Sequence, residues 1–263
     1  MVPNTNFGGI PLTRRLKRSS RANPREDRNY ENPRGSRNNV IELDQFSTKS
    51  IKQKKVELIP KNLHQEEYID YLENPDIDVV FAIGPAGTGK TMLATVAAIQ
   101  ALKAGKVDKI IITRPAVSVD EQHGFLPGTL IEKMQPWILP ILDYFYEYYS
   151  KKQVMTMIED GTIDVVPLAF MRGRTFKRSF MLLDESQNTL PSQMKMFLTR
   201  IGEGSKIVVT GDMNQHDRGF DQNGLKDFLS RLSGHRGIAV CQFGSNDIER
   251  HPIIDTILDM YED

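Results

Sequence analysis

The feature that most constrains this chain is the glycine-rich segment GPAGTGKT at residues 84–91. The apolar run VVFAI precedes it and MLATVAAI follows it, which predicts a strand, a loop and a helix in that order. The spacing of the glycines, the lysine and the threonine is that of a phosphate-binding loop, in which backbone N–H groups and the positive end of the helix face an anion. A glycine-rich turn that binds nothing is the alternative, and the complete set of anchor residues disfavours it. We therefore predict a nucleotide-phosphate site here.

This pattern assigns a role to each residue of the loop. The predicted nucleotide-binding residues are Gly84, Pro85, Ala86, Gly87, Thr88, Gly89, Lys90 and Thr91. We expect the Lys90 ammonium to contact the β- and γ-phosphates of the nucleotide and the Thr91 hydroxyl to bind Mg²⁺. Lys90 is therefore both a binding residue and a catalytic residue.

An acidic pair further along the chain is the second signal. The apolar run FMLL at 180–183 ends in Asp184 and Glu185, so both carboxylates are expected at the end of a buried strand. Asp184 would hold the Mg²⁺ shell, and Glu185 would orient or deprotonate the attacking water. Such a pair alone could be surface charge. After a complete phosphate-binding loop it indicates hydrolysis rather than phosphate transfer to a small molecule.

The order of the apolar runs predicts the fold class. A strand at 79–83, a helix and a second strand at 109–113 predict an α/β fold with a mostly parallel sheet and helices on both faces. A later strand at 206–210 should lie between the loop strand and the strand that precedes the acidic pair. That position would bring Asp212 or Gln215 near the γ-phosphate. Gln215 is therefore a candidate sensor of hydrolysis, whereas Asp212 could also be a turn residue.

Charge divides the chain into two parts. Residues 1–55 carry 13 Lys and Arg against 5 Asp and Glu, although the whole chain has a formal net charge of zero. This basic part lacks apolar periodicity, so we predict a largely disordered tail and approach segment over 1–55 and one ordered domain over 56–263. The tail could neutralise the phosphates of RNA or DNA, or it could serve solubility alone.

Composition gives no support to several other classes of protein. The single cysteine, Cys241, excludes an internal disulfide framework, and the five histidines show no zinc-ligand spacing. No apolar run approaches the length of about 18 residues that a membrane-spanning helix requires. The N-terminus lacks the apolar core of a signal peptide, so we expect no membrane association and a cytoplasmic location.

Four arginines are candidates for contacts with phosphate. Arg114 follows the strand at 109–113, at the edge where parallel sheets bind ligands, and could contact nucleic acid or form a surface salt bridge. Arg172 and Arg174 stand close together in a loop and could bind nucleic-acid phosphates. Arg250 could act on the nucleotide of a neighbouring subunit, or it could form a structural ion pair.

Two helices carry further candidates. The first is predicted before the first strand, and its apolar face comprises Leu63, Tyr68, Tyr71 and Leu72. Gln65 on this helix could read an adenine edge through paired hydrogen bonds, or it could be solvated. The second is predicted over 131–149, interrupted at Pro136 and Pro140. Its aromatic side chains are Trp137, Tyr144, Phe145, Tyr148 and Tyr149. They could stack on bases, although core packing or a subunit contact is the more common role.

Taken together, these segments resemble the PhoH family of P-loop ATPases. The resemblance covers the chain from Pro60 to Tyr261. Its motifs are GPAGTGKT at 84–91, ITRPAV at 112–117, GFLPG at 124–128, MRGRT at 171–175, LLDESQN at 182–188, MKMFLTRIG at 194–202, VVTGDMNQ at 208–215 and RHP at 250–252. Such an ordered set is far more specific than a phosphate-binding loop alone.

The resemblance implies a RecA-like P-loop NTPase domain, related to superfamily 1 helicases, that hydrolyses ATP with Mg²⁺. It also implies that the protein binds, and unwinds or remodels, RNA or single-stranded DNA. Homo-oligomeric rings, commonly hexamers, are the implied assembly. By this resemblance Gln65 falls at the adenine-reading glutamine. The short form with a basic tail is similar to versions found in bacteriophages, for which the location would be the host cytoplasm.

The chain departs from the family pattern at two positions, Gln122, where lysine is common, and Ser186, where alanine is common. Many relatives in this family carry a fused nuclease or RNA-binding domain, and we expect neither within these 263 residues. Two hypotheses follow: an ATP-driven motor on RNA or single-stranded DNA, and a nucleotide-dependent switch or clamp with weak ATPase activity and no strand separation. With one RecA-like domain in the chain, we expect an arginine of another protomer to close the nucleotide site.

Overall fold

Within the residues that the structure describes, six apolar segments form strands. The structure, a computed structural model, describes residues 55–115, 130–215 and 223–260. The strands are β1 (Val79–Ile83), β2 (Lys109–Thr113), β3 (Ile163–Val165), β4 (Ser179–Leu183), β5 (Lys206–Gly211) and β6 (Ile238–Gln242). Residues 1–54 of the predicted tail over 1–55, the GFLPG motif and Gln122 lie outside the described residues.

Helices alternate with these strands. They are α1 (Leu63–Glu73), α2 (Lys90–Lys103), α3 (Leu130–Tyr146), α4 (Lys151–Glu159), α5 (Pro191–Leu198), α6 (Gly224–Arg231) and α7 (Pro252–Asp259). Polar side chains begin several of them by binding free backbone N–H groups. The Asn62 side chain accepts from the backbone N–H of Gln65 at the start of α1. Ser150 and Gln153 form a reciprocal capping box at the start of α4.

All strands of the described sheet run parallel, in the order β3-β2-β4-β5-β1-β6. This confirms the predicted α/β class. It also confirms that β5 lies between the loop strand β1 and the strand β4 that precedes the acidic pair. Because parallel strands end at one edge of the sheet, the segments that follow β1, β4 and β5 meet there.

The period-two alternation of strand side chains builds a core on each face of the sheet. Val80 and Ala82 of β1 pack in a cluster with side chains of α1, α2, α3 and α4. Phe81 and Ile83 of the same strand pack in a second cluster with side chains of α5 and α6. Helices therefore cover both faces, as predicted.

Helix α3 differs from its prediction. The sequence predicts interruptions at Pro136 and Pro140, but the helix continues through both and ends at Tyr146 rather than Tyr149. Each proline removes one backbone donor. Buried side chains beyond the first proline, including Ile141 and Phe145, anchor the helix to the core, and this packing outweighs the lost bonds.

The predicted apolar face of α1 is correct only in part. Tyr68 and Leu72 are buried, but Leu63 is 81% exposed because it stands at the first helical position, before the helix reaches the sheet. Ile69, which the prediction omitted, is buried instead. Cys241 is buried, as predicted, and burial raises the pKa of its thiol to about 12.

Candidate nucleotide-binding site

The edge of the sheet at which β1, β4 and β5 end carries a cleft of about 350 Å³. Its lining residues are Lys61, Gln65, Ala86, Gly87, Gly89, Lys90, Thr91, Met92, Tyr144, Asp184, Glu185, Gly211, Asp212, Gln215 and Glu249. The phosphate-binding loop and the acidic pair therefore face one space. Of the predicted loop residues, Gly84, Pro85 and Thr88 shape the loop without lining the cleft.

All three glycines of the loop have backbone geometry that other residues reach only with strain, and two of them also pack closely against another segment. Gly84 has a φ of 148°, and a Cβ there would lie 2.5 Å from the carbonyl oxygen of Phe243. Gly87 has a φ of 86°, and a Cβ there would lie 2.9 Å from Arg250 Nε. The loop is thus packed against the segment that follows β6, and glycine permits both the turn and the close approach.

Lys90 lies under the loop, at the first residue of α2. Its Nζ donates to the carbonyl oxygens of Gly84 and Pro85, at 2.8 and 2.6 Å, and to Thr88 Oγ1 at 3.2 Å. Burial lowers the pKa of this ammonium, while the negative charges of the acidic side chains across the cleft oppose the shift. The loop thus engages all three donors of the ammonium, so a phosphate oxygen would have to replace one of these acceptors.

Asp184 is the buried carboxylate of the cleft, with 3% of its surface exposed. Its Oδ1 accepts from Thr91 Oγ1 at 2.8 Å and from Thr210 Oγ1 at 2.5 Å. Its Oδ2 pairs with Arg114 Nη2 at 2.9 Å. These donors compensate the desolvation of a buried carboxylate and fix its orientation.

Thr91 and Asp184 form a donor set that fits Mg²⁺. The ion binds oxygen ligands and takes one or two from protein, while phosphate and water supply the others. A threonine hydroxyl at the start of α2 and a carboxylate oxygen at the end of β4, 2.8 Å apart, meet this requirement. These two residues would hold the ion, and the ion would offset the negative charge of a bound triphosphate.

Glu185 is restrained at both ends of its carboxylate. Its Oε1 accepts from Arg114 Nη2 at 3.1 Å, and its Oε2 accepts from Gln187 Nε2 at 2.6 Å. Its backbone has a φ of 54°, in the left-handed region, which costs a residue with a side chain about 1–2 kcal/mol. Gln187 in turn accepts from the backbone N–H of Asp212 at 3.1 Å, so the end of β5 helps to position Glu185.

Gln65 is 1% exposed, so the expectation that it could be solvated is wrong. Its Nε2 donates to the carbonyl oxygen of Thr88 at 3.1 Å, and its Oε1 accepts from the Lys61 N–H at 2.9 Å. These two bonds fix the orientation of the side-chain amide, with its nitrogen toward Thr88 and its oxygen toward Lys61. Each end retains capacity for one further hydrogen bond, as contact with a base would require.

The segment that follows β5 reaches the cleft, as its predicted position requires. Asp212 is 6% exposed, and its Oδ1 accepts from the Asn214 N–H at 3.0 Å, so it stabilises a turn. Its negative charge also favours the protonated form of Lys90. Gln215 is exposed and lines the cleft. Its role as a sensor stays a prediction.

Arg250 contacts the phosphate-binding loop of its own chain. Its Nη2 donates to the carbonyl oxygen of Ala86 at 3.0 Å, and the neighbouring Glu249 N–H donates to the carbonyl oxygen of Gly87 at 2.9 Å. The sequence offered an ion pair or a contact with another subunit. The structure shows a hydrogen bond within the chain in place of an ion pair, and the contact with another subunit stays a prediction.

The three nucleic-acid candidates have different surroundings. Arg114 is 20% exposed along its side chain and bound to the acidic pair, so its salt bridge is internal rather than superficial. Arg174 pairs with Asp164 at 2.8 Å and covers the Phe176 ring at 4.5 Å. Arg172 is exposed and has no hydrogen bond or ion pair within the described part of the chain.

The aromatic stripe of α3 serves mainly the core. Phe145 is fully buried, and Lys103 lies over the rings of Tyr148 and Tyr149, which pack against the core. Tyr144 lines the cleft instead. Burial, followed by the charge of Asp184, raises the pKa of its hydroxyl, which keeps it neutral.

The sequence matches the model of the family called PhoH-like protein over residues 57–262. The chain belongs to the PhoH-like family. PhoH-like proteins of Synechocystis and Bacillus subtilis are 45% and 44% identical to it, over 77% and 82% of this chain. Protein PhoH of Escherichia coli is 38% identical over 78% of this chain. The chain spans 61%, 66% and 58% of the lengths of these three relatives.

Two solved structures align with this chain at much lower similarity. The Pif1 helicase of Candida albicans aligns with a TM-score of 0.37 and 13% identity, over 77% of this PhoH-like chain and 44% of the helicase chain. The SWI2/SNF2 ATPase core of Sulfolobus solfataricus, in complex with double-stranded DNA, aligns with a TM-score of 0.37 and 15% identity over 61% of this chain and 34% of that chain.

Sequence reasoning missed two functional positions. Gln187 and Thr210 were not singled out, yet each binds one member of the acidic pair. Strand register could have found Thr210, because Leu183 and Val209 are partners in adjacent parallel strands and the next residues must meet. Gln187 offered no periodic signal, since it lies in the 3₁₀ turn Ser186–Asn188.

Proposed function

We propose that this PhoH-like chain hydrolyses ATP and couples hydrolysis to the binding, remodelling or unwinding of RNA or single-stranded DNA. The observation that supports hydrolysis is the convergence of Lys90, Thr91, Asp184 and Glu185 on one cleft. A nucleotide-binding protein without hydrolysis would need the lysine but not a second, partly exposed carboxylate beside a buried one.

Each residue has a separate task in this proposal. Lys90 binds phosphate oxygens and stabilises the charge that grows on them. Thr91 and Asp184 hold Mg²⁺, which neutralises the triphosphate when it is bound. Glu185 accepts the proton of the attacking water, and its 45% exposed side chain gives water access. Gln215, at the mouth of the cleft, senses the γ-phosphate.

A nucleotide-dependent switch is the second candidate, and the state of Glu185 favours it. Both carboxylate oxygens of Glu185 accept hydrogen bonds from protein donors, so protein groups already occupy part of the carboxylate surface that an attacking water would contact. Slow hydrolysis in the absence of a partner is the consequence. Stimulation by nucleic acid distinguishes the motor from the switch.

Arg172 and its neighbour Phe170 support a contact with nucleic acid. Phe170 is 61% exposed, and Arg172 is exposed and unpaired within the described residues. An exposed ring can stack on a base while a free guanidinium binds the adjacent phosphate. Arg174 contributes less, because Asp164 and Phe176 already engage it.

The proposed assembly is a homo-oligomeric ring, with a hexamer as the expected form. Exposed apolar side chains on and just after α7, namely Ile253, Ile254, Ile257 and Met260, offer a surface that a second copy would cover. Arg250 lies immediately before this helix, so an interface on α7 would lie close to the phosphate-binding loop.

ATP turnover tests the catalytic proposal. Lys90→Ala should lose turnover, and Glu185→Gln should keep nucleotide binding while turnover falls by about 10²–10⁴-fold. Two exposed residues of α4 provide matched controls, Lys152→Ala and Glu159→Gln, and both should behave as the unaltered chain. Unchanged turnover in Lys90→Ala would disprove the proposed site.

The effect of nucleic acid on ATP turnover and the mass of the assembly are measured on the same protein. Turnover is compared with and without RNA, single-stranded DNA and duplexes, and a rise supports the motor whereas no rise supports the switch. Arg172→Ala should reduce this rise and lower the salt dependence of binding by about one phosphate contact. Sedimentation in ATP and Mg²⁺ should show oligomers. Monomers with full activity would refute a role for a neighbouring subunit's arginine.

A further inference from the structure

Arg114 connects the acidic pair to a helix outside the nucleotide cradle. It follows β2, whose neighbour in the sheet is β4, and the Asp184 N–H donates to the carbonyl oxygen of Thr113 at 3.1 Å. This register places the arginine directly beside Asp184 and Glu185. Its Nη2 lies 2.9 Å from Asp184 Oδ2 and 3.1 Å from Glu185 Oε1.

The other end of the guanidinium reaches helix α3. Arg114 Nη1 donates to the backbone carbonyl oxygen of Trp137 at 2.6 Å. Trp137 is partly buried, and its carbonyl oxygen lies within α3. A bond from outside the helix at this turn links the position of α3 to the position of the guanidinium.

The arginine is bound but not fully satisfied. Arg114 Nε is buried and has no hydrogen-bond partner within the described part of the chain. A buried, unpaired donor costs free energy, so the arrangement is stabilised chiefly by the two carboxylates. Any second cation that approaches Asp184 therefore weakens the attraction that keeps Arg114 in place.

From these contacts we infer that Arg114 is a positioning residue that competes with Mg²⁺ for Asp184 and transmits the outcome to α3. This rests on the proposed nucleotide site and adds its regulation. With Arg114 in place, Glu185 Oε1 is occupied and Trp137 is tied to the acidic pair. If Mg²⁺ took Asp184 as a ligand, two cations would share that carboxylate and its attraction for the guanidinium would weaken. Arg114 would then leave Glu185 Oε1 and the carbonyl oxygen of Trp137, which would release α3.

Tryptophan emission would report a movement of α3, because Trp137 lies on this helix and is the single tryptophan of the chain. A non-hydrolysable ATP analogue is added in excess with a chelator, and Mg²⁺ is then titrated. We expect little change on addition of the analogue alone and a saturable change as Mg²⁺ enters. Binding of a fluorescent nucleotide confirms occupancy in parallel. A constant emission from an occupied site would overturn the inference.

Two substitutions separate the charge of Arg114 from its geometry. Arg114→Met removes the competing charge, so the Mg²⁺ concentration for half-maximal turnover should fall by about tenfold and the emission change should disappear. Arg114→Lys keeps the charge but cannot bridge three acceptors, so its Mg²⁺ requirement should stay within about twofold of the original while the emission change shrinks. If Arg114→Met needs as much Mg²⁺ as the unaltered chain, competition is refuted.

Arg231→Met is the matched control, because it removes an arginine–aspartate pair on α6, away from the cleft. It should leave emission and Mg²⁺ dependence unchanged. Failure of the proposed function would look different: no ATP turnover in the unaltered chain. If instead the unaltered chain hydrolyses ATP but its tryptophan emission does not change with Mg²⁺, the proposed function stands and only the inference about Arg114 is refuted. The emission titration of the unaltered chain decides the matter even if Arg114→Met fails to fold.

Discussion

Replacement of Gln65 by leucine tests whether this buried amide braces the phosphate-binding loop, reads adenine, or does both. The structure fixes the amide through Thr88 and Lys61. Leucine retains most of the volume and removes both hydrogen bonds. Water can replace the amide at Lys61, which is exposed, but not at the buried carbonyl oxygen of Thr88.

The expected loss of stability follows from that one orphaned acceptor. A buried acceptor without a partner costs about 1–3 kcal/mol. For a domain of this size that corresponds to a fall in melting temperature of about 2–12 °C. Thermal unfolding followed by circular dichroism measures it. Gln100→Leu, at an exposed side-chain bond on α2, should cost no more than about 0.5 kcal/mol.

Nucleotide preference provides the second measurement on Gln65→Leu. The remaining N–H and lone pair of the fixed amide match the edge of adenine but not that of guanine, so ATP affinity should fall by about tenfold more than GTP affinity. Fluorescent-nucleotide displacement measures both. Equal losses for ATP and GTP would refute adenine reading and leave only the brace. An unchanged melting temperature would refute the brace.

Three further predictions concern single contacts. Gly84→Ala should lower the free energy of unfolding by at least about 2 kcal/mol and abolish nucleotide binding, because its Cβ would meet a backbone oxygen at 2.5 Å. Gly105→Ala is the control, because Gly105 has a φ of 66° but open space around it, so only the backbone strain remains. Chemical denaturation measures both variants. Thr210→Val should lower the free energy of unfolding by about 1–3 kcal/mol and weaken Mg²⁺-dependent turnover, since a buried carboxylate loses a donor. The hydrogen bond and charge of Asp247 raise the pKa of His64 above 6.5, so this pair's contribution to stability is complete below that pH and is lost as pH rises through the folded-state pKa. Melting temperatures of the chain and of His64→Gln should therefore converge at alkaline pH, and a constant difference would contradict the assignment.

The sequence alone determined the fold class and the strand–loop–helix order around residues 84–91. Apolar runs of strand length alternating with helical segments admit few arrangements other than a parallel sheet covered on both faces. The spacing from Gly84 to Thr91 predicts phosphate binding, because each residue type in the pattern meets one requirement of a phosphate-binding loop. The order of β1, β5 and β4 was also correct, so the meeting of the loop with Asp184 and Glu185 could be predicted.

Only the tertiary structure decided how the polar groups around the loop are paired. The sequence left several possible partners open for three side chains. In the structure Arg114 binds the acidic pair, Gln65 binds the carbonyl oxygen of Thr88, and Arg250 binds that of Ala86. Hydrogen bonds of this kind depend on side-chain positions within a few tenths of an ångström. Local propensity and periodicity carry no such information, whereas strand register and helix packing set it.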